Sequence, residues 1–181
     1  MKLKLLSLVI GLQVAWILGT VAMQENKLRY APTVLLETRP VDPRDLLRGD
    51  FVTLGYAISQ LPLDQFRPPL TAAPPPGTLV YVLLEPRGAF HEAVSASLQP
   101  PKAGPRQIMI RGTAEHSWRA ESVRVHYGLE QYFVAEGTGN PQGKVTVEAA
   151  VPKSGRATIK EVFVDGKPYR EVMKQQARER N

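Results

Sequence analysis

The most unusual segment of the chain concentrates charged side chains immediately before an alternating apolar stretch. Three aspartates and two arginines lie within nine residues: Asp42, Arg44, Asp45, Arg48 and Asp50. Carboxylates at this density can bind a cation or act as an acid–base pair. However, Pro43 and Gly49 mark turns, and arginines can pair bidentately with aspartates. We therefore favour a structural interpretation over a metal or catalytic site.

A second segment combines aromatic and acidic side chains. Its members are Tyr127, Gly128, Glu130, Tyr132, Phe133 and Glu136. The three aromatic rings would bring a large apolar area to the core. If the two segments pack together, Glu130 and Glu136 could meet Arg44 or Arg48. We favour such buried Arg–Glu pairs over catalysis.

Together the two segments resemble the GDYXXLXP family of membrane-associated bacterial proteins. Gly49, Asp50 and Leu54 match the naming motif directly. Phe51 replaces the named tyrosine conservatively, and Tyr56 stands where the named proline would be. The resemblance implies a multi-pass membrane protein as partner, and it implies no particular activity.

The sequence offers no recognisable catalytic machinery. A signal-peptidase-like enzyme needs a serine soon after an apolar anchor, yet no serine occurs between Ser7 and Ser59. His91, His116 and His126 are not accompanied by a nucleophile elbow. The absence of cysteine excludes disulfides, thiolate metal ligands and cysteine nucleophiles. We therefore predict no catalytic residue, no metal and no cofactor.

An uncharged apolar run, Leu5–Met23, indicates on which side of a membrane these segments lie. A helix of this length just crosses a hydrocarbon core of about 30 Å. Lys2 and Lys4 precede it, which favours a cytoplasmic N-terminus. The small residues at positions 20–22 leave a cleaved signal sequence as the alternative. Both interpretations place residues 24–181 outside the cytoplasm.

The rest of the chain alternates short β-branched runs with segments rich in proline and glycine. Predicted strands cover Thr33–Thr38, Phe51–Ser59, Thr78–Glu85, Phe90–Leu98, Gln107–Gly112, Ser122–Tyr127, Lys144–Val151 and Arg156–Val164. Leu61–Gly77 carries six prolines and is predicted to be a loop without a ladder. Asp165-Gly166 predicts a tight hairpin. This spacing indicates a compact antiparallel β sandwich or partly open barrel.

These patterns divide the chain into an anchor or signal sequence (1–23), a polar tether (24–32), an exported β domain (33–170) and a charged tail (171–181). The tail could form a helix but is as prone to fray. Because the domain is exported, the net charge of +6 favours contact with anionic membrane lipid over contact with nucleic acid, and ordinary solubility explains the charge at least as well.

The sequence therefore predicts a single-pass accessory module on the outer side of the cytoplasmic membrane. It would be a periplasmic domain that binds another envelope protein or ligand. The alternative is a hydrolase or cation-dependent enzyme that uses the carboxylates of the two segments, namely Asp42, Asp45, Asp50, Glu130 and Glu136.

Overall fold

The computed structural model describes residues 2–39, 51–117, 121–133 and 143–179. Their elements, in chain order, are α1 (Lys2–Arg29), β1 (Thr33–Arg39), β2 (Phe51–Thr53), β3 (Gly55–Tyr56), β4 (Gln60–Pro62), β5 (Leu79–Arg87), β6 (Phe90–Ser97), β7 (Ile108–Glu115), β8 (Ser122–His126), β9 (Gln131–Phe133), β10 (Val145–Ala150), β11 (Thr158–Val164), β12 (Lys167–Pro168) and α2 (Tyr169–Glu179). The described strands pair antiparallel, so the predicted mostly β, antiparallel fold is confirmed.

The strands form two larger sheets and one small ribbon. One sheet has the order β12-β11-β10-β1-β3, the other has the order β4-β8-β7-β5-β6, and β2 pairs with β9 alone. Alternate residues of several strands face a shared core, as Val80, Val82 and Leu84 do in β5 and Val147 and Ala149 do in β10. Such alternation follows from the pleat, which points successive side chains to opposite faces.

The predicted strand Phe51–Ser59 is not one strand. Its first part, β2, pairs with β9, β3 pairs with β1, and Ala57–Ser59 form a 3₁₀ turn. The residues that follow form β4, which pairs with β8 in a third sheet. The predicted alternation persists across these breaks, because Val52, Leu54, Tyr56 and Ile58 are all buried. The segment therefore keeps one face on the core while its backbone changes partners.

The predicted loop Leu61–Gly77 is wrong at its first two residues, which belong to a strand. Leu61 and Pro62 belong to β4 and lie opposite Val123 and Ser122 of β8. A proline is tolerated there because β4 is the edge strand of its sheet, so the missing N–H interrupts no central ladder.

A side chain joins the two larger sheets where β1 and β6 lie against each other. The Leu35 N–H of β1 donates a hydrogen bond to Nδ1 of His91 in β6, at 3.2 Å. Leu35 has no strand partner on this side of β1, because β3 pairs only with Thr38 and Arg39. The imidazole therefore accepts a backbone N–H that no neighbouring strand accepts. His91 thus brings the sheets towards a barrel-like closure.

The C-terminal hairpin confirms one turn prediction and changes another expectation. Asp165 and Gly166 both have positive φ, 49° and 79°, as the predicted tight turn requires. After the short strand β12 the chain forms α2, which contacts β11. Of the two alternatives for the tail, a helix or a frayed end, the structure has the helix, and its residues Tyr169 and Met173 are buried.

The N-terminal helix α1 leaves its described apolar side chains exposed. Leu12, Trp16 and Leu18 expose 74%, 75% and 63% of their surface. The helix also continues through residues 24–29, where we expected a polar tether. In the part of the chain that the structure describes, no helix combines the length and the apolarity needed to cross a membrane, so the predicted transmembrane helix is not confirmed.

The His91 contact predicts a pH-dependent stability. Burial lowers the pKa of the His91 imidazole below its usual value, and its Nδ1 accepts a hydrogen bond only when that nitrogen is unprotonated. The contribution of His91 to stability should be present above the unfolded pKa of 6.5 and be lost as the pH falls through the lower folded value. On acidification, the thermal unfolding temperature of the full chain should therefore fall less in His91→Asn than in the unmodified protein. The amide oxygen of the asparagine can still accept the bond from Leu35.

The matched control is His116→Asn, at an exposed histidine. An equal loss of acid sensitivity in both variants would contradict the role of His91.

Candidate functional site

The two segments singled out by the sequence lie side by side. In the ribbon of β2 and β9, Val52 lies opposite Tyr132. Beyond the ribbon, the Leu54 N–H donates to the Glu130 carbonyl at 2.8 Å. The backbone of the motif segment is thus held against residues 129–133 along its first half.

Two buried tyrosines, one on each segment, donate hydrogen bonds to backbone carbonyls of the other segment. The Tyr56 hydroxyl donates to the Leu129 carbonyl at 2.6 Å, and the Tyr127 hydroxyl donates to the Ile58 carbonyl at 2.7 Å. Burial, together with the charge of Glu130, raises the pKa of both hydroxyls far above the usual value. Both therefore stay protonated and act as hydrogen-bond donors. We refer to these two bonds as the tyrosine clamp.

Gly112 of β7 makes room for the clamp. A Cβ atom at this position would lie 2.6 Å from the His126 carbonyl oxygen and 3.1 Å from Cδ1 of Tyr127. The first distance involves backbone, so a side chain here would displace β8. The absence of a side chain at Gly112 allows β7 to approach the start of the Tyr127 segment.

Glu130 closes the turn that carries Tyr127. Its Oε1 accepts the Tyr127 N–H at 2.7 Å, and its Oε2 lies 3.1 Å from Nδ1 of His126. The same imidazole nitrogen lies 3.6 Å from Glu115, which also pairs with Arg124 at 3.4 Å. Gly128 has a φ of +78°, a conformation that glycine adopts without strain. The Oε1 atom of Glu130 therefore has a structural partner, whereas its buried Oε2 accepts no hydrogen bond among the described residues and pairs with His126 only when that imidazole is protonated.

Much of the aspartate- and arginine-rich segment lies outside the described residues. This applies to Asp42, Arg44, Asp45, Arg48, Gly49, Asp50 and Glu136. The predicted pairing of Glu130 with an arginine therefore stays a prediction. Within the described residues, the ion-pair partner of Glu130 is His126, which the sequence analysis treated as an isolated histidine.

The aromatic residues do not all enter the core as predicted. Tyr127 is buried, and Tyr132 packs edge-on against Tyr169 with ring centroids 5.6 Å apart. Phe133 exposes 74% of its surface, so its assignment to the core is wrong. Adjacent residues of β9 face opposite sides, and Tyr132 takes the inner one. Phe51 contributes its backbone to β2, opposite Phe133.

Three participants in this site do not follow from the sequence alone. By sequence, Tyr56 stands where the expected motif has proline, and no pattern assigns His126 or Gly112 a role there. A signal for Tyr56 was present, because it falls on the buried side of the alternating run. The positions of His126 and Gly112 depend on the pairing of β7 with β8, which no local pattern specifies.

The described residues do not form a cluster of side chains that could coordinate a metal ion. Across residues 2–39, 51–117, 121–133 and 143–179, no three acidic or histidine side chains are placed to hold a metal ion. One surface cleft of about 300 Å³ includes Glu37, Gln60 and His91, and another of about 850 Å³ lies beside the end of α1. Glu130 lines neither of these clefts.

Comparison with known proteins identifies the family. A family model described as "GDYXXLXY protein" matches residues 13–162, and the chain therefore belongs to this family. The resemblance inferred from the sequence is confirmed, with one correction: the last motif position is tyrosine, and Tyr56 matches it. No curated protein and no solved structure matches the chain.

The tyrosine clamp predicts that each hydroxyl stabilises the domain. Tyr56→Phe or Tyr127→Phe leaves a buried carbonyl without its donor, which should lower the free energy of unfolding by about 1–3 kcal/mol. Because the two bonds join the same segments, the double variant should deviate from additivity by about 0.5 kcal/mol or more. Urea unfolding of the full chain in detergent measures both effects.

The matched control is Tyr30→Phe, since Tyr30 exposes 78% of its surface and should change stability by less than about 0.5 kcal/mol. Unchanged stability in both single clamp variants would show that the hydroxyl bonds are not required.

Proposed function

For this member of the GDYXXLXY family, we propose the function of a membrane-anchored accessory module. Helix α1 would cross the cytoplasmic membrane with its N-terminus in the cytoplasm. The β domain would stand on the outer side and bind another envelope protein or ligand, with a multi-pass membrane protein as the preferred partner. The observation that carries this proposal is the exposed apolar surface of α1.

The exposed side chains of α1 are apolar all around the helix. Leu12, Ile17 and Leu18 project in three different directions at 100° per residue, and each is mostly exposed. A helix that is hydrophobic on all sides is normally buried in a protein core or a membrane. The uncharged run Leu5–Met23 corresponds to about 28 Å of helix, close to the thickness of a hydrocarbon core. This surface supports insertion into lipid.

The internal bonding of the motif supports binding rather than turnover. The hydroxyls of Tyr56 and Tyr127 donate to backbone carbonyls, and Glu130 accepts a backbone N–H. These groups hold the fold together and leave the outer surface of the domain for a partner. The alternative is an enzyme built on the carboxylates of the two segments. Glu130, the described member of that set, binds the Tyr127 N–H through Oε1 and lines neither of the two clefts described above.

The anchor is tested by placing charges in the run. The double variant Val14→Arg/Leu18→Arg should move the full chain out of the carbonate-resistant membrane fraction, because each arginine near the centre costs about 2.5–3.5 kcal/mol. The matched control Val14→Leu/Leu18→Val should remain in that fraction. Intact mass should show that Lys2 and Lys4 are retained; a soluble product that begins at Met23 would show cleavage instead.

The binding role is tested by capture from detergent-solubilised membranes. The full chain should retain a defined membrane protein, identified by mass, that a chimera carrying residues 1–29 on an unrelated domain does not retain. Equal capture by both proteins would assign the contact to α1 and contradict a binding role for the β domain.

A further inference from the structure

A second feature lies where α1 meets the β domain. The larger surface cleft, about 850 Å³, separates the end of α1 from the loop that joins β10 to β11. Leu28 and Tyr30 line one side, and Lys153, Ser154 and Arg156 line the other. The motif residues described above take no part in this cleft.

The loop on the far side of the cleft has a defined backbone. The Gly155 carbonyl accepts the Arg111 N–H of β7 at 2.8 Å, and the Gly155 N–H donates to the Pro152 carbonyl at 2.8 Å. Gly155 has a φ of +77°, and an added Cβ would lie 3.1 Å from Cβ of Arg111. Lys153 and Arg156 thus flank a glycine that is fixed against β7.

The near side of the cleft is tied to the same loop. The Val151 N–H donates to the Pro32 carbonyl at 2.9 Å, directly before the antiparallel pairing of Thr33 with Ala150. The chain that follows α1 is therefore bonded, at Pro32, to the first residue of the loop that carries Lys153 and Arg156.

The described lining of the cleft carries positive charge and no negative charge. Lys153 and Arg156 are exposed, and none of the described residues that line the cleft is acidic. Within the described part of the chain neither forms an ion pair, whereas Lys144 and Lys160 pair with Glu37 and Glu148. Such a cleft suits an anion that comes from outside the chain.

The position of the cleft along α1 indicates the source of that anion. If the hydrocarbon core ends near Met23, Leu28 lies about 7.5 Å beyond it, at 1.5 Å per residue. The headgroup layer on each side of a bilayer is about 5–8 Å thick. Tyr30 is exposed at this level, where aromatic side chains are enriched in membrane proteins.

We infer that this cleft binds the phosphate-bearing headgroup of an anionic phospholipid from the membrane that α1 enters, an assignment that rests on the proposed membrane anchoring. Lys153 and Arg156 contact the phosphate, and Tyr30 lies against the glycerol region. The bound lipid fixes the orientation of the β domain relative to the membrane surface.

The test uses the full chain reconstituted in phosphatidylcholine vesicles that contain a minority of phosphatidylglycerol. Spin-labelled lipids measure the association of phosphatidylglycerol with the protein relative to phosphatidylcholine. At about 1 kcal/mol for each basic side chain near an anionic surface, Lys153→Gln/Arg156→Gln should lower this relative association constant by roughly 30-fold. Lys153→Arg/Arg156→Lys keeps both charges and should preserve most of the selectivity.

The matched control removes two charges at the other end of β11. Lys167 and Arg170 are exposed and lie beyond the hairpin, about 20 Å along the strand from Arg156. Lys167→Gln/Arg170→Gln should retain the selectivity of the unmodified protein. Equal losses in the two glutamine variants, or no selectivity in the unmodified protein, would overturn the assignment.

Two further outcomes separate the possible errors. Inorganic phosphate, at an ionic strength matched with chloride, should leave the lipid selectivity unchanged; competition by phosphate would identify a free-anion site and overturn the lipid assignment. If the full chain is removed from the vesicles by alkaline carbonate, the anchoring proposal fails. A chain that stays inserted but lacks selectivity contradicts only the lipid site.

Discussion

The tyrosine clamp is the interaction on which the rest of the β domain depends. The segment from Phe51 to Pro62 leaves one sheet for another twice, so its backbone loses ladder partners at each change. At Ile58 and Leu129 the carbonyl partners are supplied by tyrosine hydroxyls from the opposite segment. A buried carbonyl without a donor is costly, and side-chain donors at these points allow the chain to change sheets inside a packed core.

The clamp also gives the family motif a physical meaning. Leu54 and Tyr56 face the core, and the Leu54 N–H extends the contact between the two segments beyond the short ribbon. Glu130 braces the opposite side by binding the N–H of Tyr127, whose hydroxyl completes the clamp. The hydrogen bonds of the described motif residues thus hold the two segments together where the chain passes between sheets.

The same domain presents a different chemistry at the end of α1. There, a loop bonded to β7 carries two cations that form no ion pair within the described part of the chain, beside a helix whose surface is apolar. An apolar helix and an adjacent cationic cleft fit the two layers of a membrane, hydrocarbon and headgroup, in the correct order. The proposed anchor and lipid site would together fix the distance and the orientation of the β domain relative to the membrane surface, so that it can bind a membrane partner.

The sequence by itself determined the features that depend on neighbouring residues. Alternation predicted the strands and the buried side of Val52 to Ile58, and Asp165-Gly166 predicted a hairpin whose φ values are both positive. The sequence also identified the family and the two segments that meet.

Only the tertiary structure decided which strands pair and which side chains they bring together. It divided the segment from Phe51 to Pro62 among three sheets, turned Phe133 outward, placed His126 against Glu130 and buried Tyr169 and Met173 of α2. Period-two alternation fixes which face a residue takes but carries no information about its backbone partner. The pairing partners are chosen by packing between residues far apart in the chain, and the site depends on that choice.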